Sequence, residues 1–169
     1  MSRREAETER TVALLERTAR DLLRYLERRV GADDAPDALS ETMTTAWRRE
    51  SSMPASDAEA RLWVFGIARN VVLNTNRGRR RRNLLAERLR QTADPLEVVA
   101  PPSDGDLDVR AAIGTLDAEL SELVRLVHWD GFTISEAARI LDVPASTARS
   151  RYQKAKRDLS ALLAPTHAG

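Results

Sequence analysis

The chain has 169 residues, 42% hydrophobic and 31% charged, with a formal net charge of +1, which suffices for one domain or two small ones, each able to bury a core. The absence of cysteine excludes disulfides, thiolate metal sites and a cysteine nucleophile, and fits a reducing compartment. The opening MSRREAETER lacks the apolar core of a signal peptide and no stretch has the length of a membrane span, so a cytoplasmic protein without membrane insertion is expected.

Leu, Ala, Arg and Glu dominate, and no run alternates polar and apolar residues with period two, so the expected fold class is all-α. The first helix is expected from about Ala6 to Arg29, with Val12, Leu15, Ala19, Leu22, Leu23, Leu26 and Val30 inward and Gly31 as terminator. A second should run from Asp34–Pro36 to about Arg49, burying Leu39, Met43, Ala46 and Trp47, with Asp37 and Glu41 outward. After a loop containing Pro54, Ser56 and Glu59 form a capping-box pair opening a long helix from about Asp57 to beyond Arg80. Its Leu62, Trp63, Ile67 and Val71 face inward, and Leu84 to Leu89 form a short continuation.

From Asp94 to Asp106, DPLEVVAPPSDGD has three prolines, a glycine and no helical period, so it reads as a flexible acidic linker. Fully extended it spans about 40 Å. A second helical unit should begin near Leu107, with helices over Leu107–Leu116 and Asp117 to about His128, and Gly131 as a break. Thr133 with Glu136 is another capping-box pair, followed by Ile134, Ala137, Ala138 and Leu141 on one face. Pro144 forces a turn and opens a last helix. There Ala148, Tyr152, Ala155, Leu159 and Leu162 or Leu163 point inward, and Arg149, Arg151, Lys154, Lys156 and Arg157 point outward. A short capped helix, a tight turn and a basic helix form the pattern of a duplex-DNA reader.

The net charge conceals segregation. Between Arg61 and Arg90 lie nine arginines and one acid, Glu87, whereas Asp94 to Asp108 hold five acids and no base. On the long helix Asn70 and Asn74 are one turn apart, able to donate and accept along a base edge or phosphate, and Arg77 and Arg79, Arg80, Arg81 and Arg82 follow as a cation patch for phosphates. Trp63 and Phe65 either wall a site for unstacked bases or pack the core, the latter favoured for Trp63. Together these features suggest a helix that reads unpaired bases at one end and grips phosphates at the other.

The segments APDALSETMTTAWRR, ARLWVFGIARNVVLNTNRGRRRR and GFTISEAARILDVPASTARSRYQKAKRDL, in this order and separated by an acidic linker, resemble the bacterial extracytoplasmic-function (ECF, group IV) sigma factors of the sigma-70 family. The resemblance implies a region 2-like helical domain over residues 6–92, a linker over 93–106, a region 4-like helix-turn-helix domain over 107–164 and a tail over 165–169. It implies a transcription initiation factor whose partners are core RNA polymerase, promoter DNA and an anti-sigma factor. Asp37 and Glu41, supported by Leu39 and Met43, would then dock on polymerase. The loop Ser51 to Ala58 would help to hold a flipped-out minus-ten base. Asn70 and Asn74 would contact the non-template strand, with Arg77 and Arg79 to Arg82 on the upstream backbone. In the C-terminal unit Arg149, Ser150, Arg151, Gln153 and Lys154 match positions that face the minus-thirty-five element, with Ser146 and Thr147 near phosphates. The chain departs from the family at Ala38-Leu39-Ser40, where Leu-Val-Gln is usual, at Asn74 and Asn76, and at Asp117 and Asp142, where proline and glycine are frequent.

A conventional helix-turn-helix regulator with an N-terminal sensor or dimerisation domain is the alternative, but it leaves the Asn-Arg helix without a role. An enzyme is not expected. The two histidines, His128 and His167, form no ligand cluster or acid-base constellation, and no catalytic residue, metal, cofactor or small-molecule substrate is assigned.

Overall fold

The structure, a computed structural model, describes residues 2–90 and 105–164. Among these residues the regular elements are all helical: α1 (Arg3–Val30), α2 (Ala35–Arg48), a 3-10 turn (Glu50–Ser52), α3 (Asp57–Arg90), α4 (Gly105–Thr115), α5 (Ala118–His128), α6 (Ile134–Leu141) and α7 (Ala145–Leu163). The chain divides into two compact units, Met1–Leu96 and Glu97–Gly169. The all-α, two-domain expectation therefore holds. The acidic linker lies outside the described residues as far as residue 104, and so does the tail, residues 165–169.

In the first unit α1, α2 and α3 pack against one another as a three-helix bundle. The first helix starts earlier than expected because Ser2 and Glu5 form a capping box: the Glu5 amide donates to Ser2 Oγ at 3.4 Å and the Ser2 amide to Glu5 Oε2 at 2.6 Å. It stops at Gly31, whose φ of 90° lies in the left-handed region that side chains disfavour. Of the residues expected inward, Leu15, Leu22, Leu26 and Val30 are buried, and the core face differs from the expected one on one side. Val12 is exposed, and Thr11, Leu14, Thr18 and Tyr25 are buried. The two threonines enter the core at low cost because each hydroxyl donates back into its own helix, Thr11 to Glu7 O at 3.0 Å and Thr18 to Leu14 O at 2.7 Å. Tyr25 meets Phe65 of α3 edge-on, with ring centroids 5.5 Å apart.

The largest departure concerns α2. Its buried residues are Ala35, Ala38, Thr42 and Ala46, whereas Leu39 and Met43 are half-buried and Trp47 is 45% exposed. Small side chains at intervals of three and four form the stripe that packs on α1 and α3, which leaves Leu39 and Met43 at the edge of the core and Trp47 outside it. On α3 the core face runs from Ala60 to Val72. The helix then continues without a break to Arg90, so the expected continuation over Leu84 to Leu89 is part of the same helix, with Leu84, Leu85 and Leu89 exposed. No described helix is long and apolar enough to cross a membrane.

In the second unit Ile113, Leu116, Leu120, Val124 and Ala155 form a buried cluster, with Trp129 and Leu159 packed against it. The capping box at Thr133 and Glu136 is present, with bonds of 2.8 and 3.2 Å. Helix α6 ends at Asp142 in the left-handed conformation, φ 54° and ψ 48°, and the Val143 amide reaches back to Ala138 O at 3.0 Å, a C-terminal closure that normally favours glycine or asparagine. Pro144 is the N-cap residue of α7, so the helix starts at Ala145, one position later than expected. Leu162 and Leu163 are exposed rather than inward, since they lie past Leu159, which packs against the buried cluster.

The packing of α2 gives opposite expectations for neighbouring residues. Ala46→Leu should overpack the bundle and cost about 1–3 kcal/mol in thermal or urea unfolding. Trp47→Ala should stay within about 0.5 kcal/mol of the parent.

Candidate nucleic-acid interface

The buried face of α3 ends at Val72, and a row of exposed polar residues starts at Asn70, where the core ends. Asn70, Asn74, Arg77 and Arg81 recur at intervals of four, three and four, so they share one face, and all four are exposed. That face extends for about 16 Å along a single rigid rod. Arg80 and Arg82, also exposed, flank it on either side. A row of amides leading into a row of guanidiniums presents base-edge hydrogen-bonding groups first and phosphate-binding groups next.

Arg79 does not belong to this row. It lies seven residues beyond Val72 on the core side of the helix, and its Nη2 donates to Val30 O at 2.6 Å and to Asp34 Oδ2. The residue expected among the phosphate contacts thus ties α3 to the corner between α1 and α2. The signal was present in the periodicity, because Ala68, Val72 and Arg79 fall on one stripe. Trp63 is half-buried and Phe65 only 1% exposed, so Phe65 is a core residue and cannot stack on a base.

On α7, Ser146, Arg149, Ser150 and Gln153 form an exposed face, with Lys154 at its side. Arg157 continues this face, although the sequence reading gave it only outward charge. Thr147 and Arg151 sit on the flank, each half-buried. Arg151 Nη2 lies 2.8 Å from Glu119 Oε2 of α5, and Lys154 Nζ lies 2.8 Å from Asp158 Oδ2 one turn on. The helix is held in its rotational setting from the rear, where Tyr152 Oη and His128 Nε2 are 2.8 Å apart with their rings stacked.

On α2 the half-buried Leu39 and Met43 and the exposed Trp47 form a ridge at intervals of four. Asp37 and Glu41, both exposed, form an acidic strip farther from the core. An apolar ridge beside acidic residues suits a protein partner rather than DNA. Trp47 was missed as part of this surface because a tryptophan in a helical pattern reads first as core.

The loop before α3 is held by α1. Arg10 Nη2 donates to Pro54 O at 3.1 Å and to Ala55 O at 2.9 Å, Thr8 Oγ1 lies 3.3 Å from Glu50 Oε2, and Arg17 Nη2 lies 3.2 Å from Asp57 Oδ2. These are contacts between residues about forty apart in sequence, and the local spacing carried no sign of them.

Known proteins share both units. Residues 14–82 match sigma-70 region 2 and residues 106–159 match sigma-70 region 4. Among curated proteins, the chain is 28% identical over 151 residues to the ECF RNA polymerase sigma factor SigL of Mycobacterium tuberculosis, covering 87% of this chain and 85% of that protein. It is 33% identical over 144 residues to the ECF RNA polymerase sigma factor SigM of the same species, covering 82% and 68%. Among solved structures, it is similar to the sigma factor RpoE in complex with the anti-sigma factor NepR from Bartonella quintana, with a TM-score of 0.61, 26% identity, and coverage of 88% and 94%.

Glu119 competes with any phosphate for Arg151. Glu119→Gln in the full chain should raise affinity for duplex DNA roughly two- to fivefold at low salt, the scale of an exposed ion pair. If Arg151 then gains a phosphate, the slope of log affinity against log salt should steepen by about 0.9. Fluorescence anisotropy over a salt series measures both quantities.

Proposed function

The chain belongs to the ECF RNA polymerase sigma factors of the sigma-70 family, and we propose that its two units divide promoter recognition at the level of individual residues. The unit carrying α1–α3 engages core polymerase through Asp37, Leu39, Glu41 and Met43 and captures the minus-ten element. In that capture Asn70 and Asn74 meet the displaced non-template strand, and Arg77, Arg80, Arg81 and Arg82 meet its upstream backbone. The loop from Ser51 to Ala58 receives an unpaired base. The unit carrying α4–α7 reads the minus-thirty-five element as duplex, with Arg149, Ser150, Gln153 and Lys154 toward base edges and backbone and Ser146 and Thr147 near phosphates at the helix start. Arg151 joins them once DNA displaces Glu119, and Arg79 acts by holding α3 in place.

The observation that supports this reading most strongly is the unbroken α3 face from Asn70 to Arg81, extending beyond the bundle that fixes its base. A duplex reader needs the α6–α7 pair alone. An additional rod carrying amides and then arginines has a use only if DNA is also handled in unpaired form. A conventional regulator with an N-terminal sensor leaves that rod unexplained and does not account for a region 2 match in the same chain as region 4. The protein contributes binding energy and strand capture, and the bond-forming chemistry is that of the polymerase. Its place of action is the cytoplasm, with the chromosome. The likeness to a sigma factor solved with an anti-sigma factor supports a comparable partner that covers the α2 ridge when polymerase is not to be engaged.

Run-off transcription with core polymerase on a genomic fragment library tests the reading, and a lack of core-dependent transcripts would overturn it. On a promoter so found, Arg149→Ala should weaken minus-thirty-five recognition by about 5- to 100-fold, the range of a good base contact, with affinity for core unchanged. Asn70→Ala should lower permanganate reactivity of the melted region more than it lowers duplex binding.

A further inference from the structure

We infer that Arg10 is a positioning residue for minus-ten capture: from α1 it holds the Pro54–Ala55 backbone and so fixes the loop that receives the unpaired base. The inference rests on the role proposed above for that loop, and its own content is the device that sets the loop's shape.

The loop between α2 and α3 has little structure of its own. A single 3-10 turn, closed by Ser52 N to Arg49 O at 2.8 Å and Met53 N to Glu50 O at 3.0 Å, occupies its first half. Met53 is then extended, as a residue before proline must be, and Pro54 has no amide to donate. Order resumes at Ser56, whose Oγ accepts from the Glu59 amide at 3.2 Å. The intervening carbonyls of Pro54 and Ala55 point to the Arg10 guanidinium, at 3.1 and 2.9 Å from one nitrogen. One cation on two successive carbonyls fixes the orientation of two successive peptide planes, 54–55 and 55–56, because turning either one away would break its bond.

Neighbouring contacts make α1 a splint along the whole loop. Thr8 meets Glu50 at the start of the loop, Thr11 Oγ1 lies 4.0 Å from Met53 Sδ in the middle, and Arg17 meets Asp57 at the end. Ser51 and Ser52 remain exposed on the loop, free to meet a base. A loop already held in its binding shape need not lose conformational freedom when the base arrives. Thr8, Arg10 and Thr11 lie upstream of residue 14, where the region 2 match begins, so all of this splint but Arg17 is supplied by a part of α1 that the family match does not include.

The test uses the full chain assembled with core polymerase. Open complexes are selected from a promoter library randomised over the minus-ten element, and core affinity is measured in parallel. Arg10→Ala should flatten the base preference at one minus-ten position and lower the yield of open complexes roughly five- to tenfold, the effect of losing a charge-assisted pair of bonds, with core affinity unchanged. Arg10→Lys, which keeps the charge but can satisfy only one carbonyl well, should fall between Arg10→Ala and the parent. A paired Ser51→Ala, Ser52→Ala variant separates the two levels of the argument. If it alters the preference and Arg10→Ala does not, the loop reads a base and the splint is refuted. If neither variant alters it, the loop's role fails and the inference fails with it. Equal loss of core affinity and open complexes in Arg10→Ala would show a general fold defect and would also overturn the assignment.

Discussion

The first unit depends on the shallow inner face of α2. With Ala35, Ala38, Thr42 and Ala46 as its buried stripe, the helix packs against α1 and α3 through side chains of small volume, which permit close helix approach. This stripe then decides what the rest of the helix can do. Leu39 and Met43, half-buried, and Trp47, exposed, then form an apolar ridge next to Asp37 and Glu41. The surface proposed for polymerase is in this sense a by-product of packing: the residues that make it adhesive stand at the edge of the core or outside it, because smaller residues occupy the inner stripe.

Helix α3 answers to two different constraints along its length. Up to Val72 it is stabilised by burial, as most protein helices are. Beyond that point its support among the described residues includes the Arg79 bonds to Val30 O and Asp34 and the local Glu87–Arg90 pair at 3.8 Å. The arginines at 77, 79, 80, 81 and 82 repel one another at helical spacings, a cost of a few tenths of a kcal/mol per pair. Arg79 relieves part of this by turning its charge onto Asp34 and a helix-terminal carbonyl. Phosphates would relieve the remainder, so DNA binding and helix stability reinforce each other in this segment.

Much of this was legible in the sequence, for identifiable reasons. Helix existence followed from period and punctuation: Gly31, Pro54 and Pro144 stand at or beside real boundaries, the capping box read at Thr133 forms, and at Ser56 the Oγ accepts from the Glu59 amide. The paired asparagines and the basic helix α7 were visible because exposed polar residues are placed by spacing alone. Faces were harder to read. A hydrophobicity argument gives Leu39 and Trp47 priority over Ala38 and Thr42, and it is wrong wherever close helix approach rewards small residues over apolar ones. Contacts across forty residues, such as Arg10 to Pro54 or Arg79 to Val30, depend on the packed arrangement of three helices, which no local pattern encodes. Arg79 is intermediate: its register with Val72 placed it on the core side, but its membership of an arginine run hid that.

Two of the arginines that sequence assigns to DNA, Arg79 and Arg151, are held by carboxylates of the chain itself, and Lys154 also faces an acid. The free chain therefore displays fewer cations than its sequence suggests. Because phosphate contacts add up in non-specific binding and weaken it steeply with salt when lost, masking them lowers affinity for bulk DNA more than for a promoter, where base contacts remain. A factor that must find polymerase before a promoter gains from that difference. Held on polymerase as proposed above, two readers in one chain would act at high effective concentration, so neither would need a strong grip of its own. The internal ion pairs that appear to weaken each unit as a DNA binder thus favour recognition by the assembly over binding by the isolated chain.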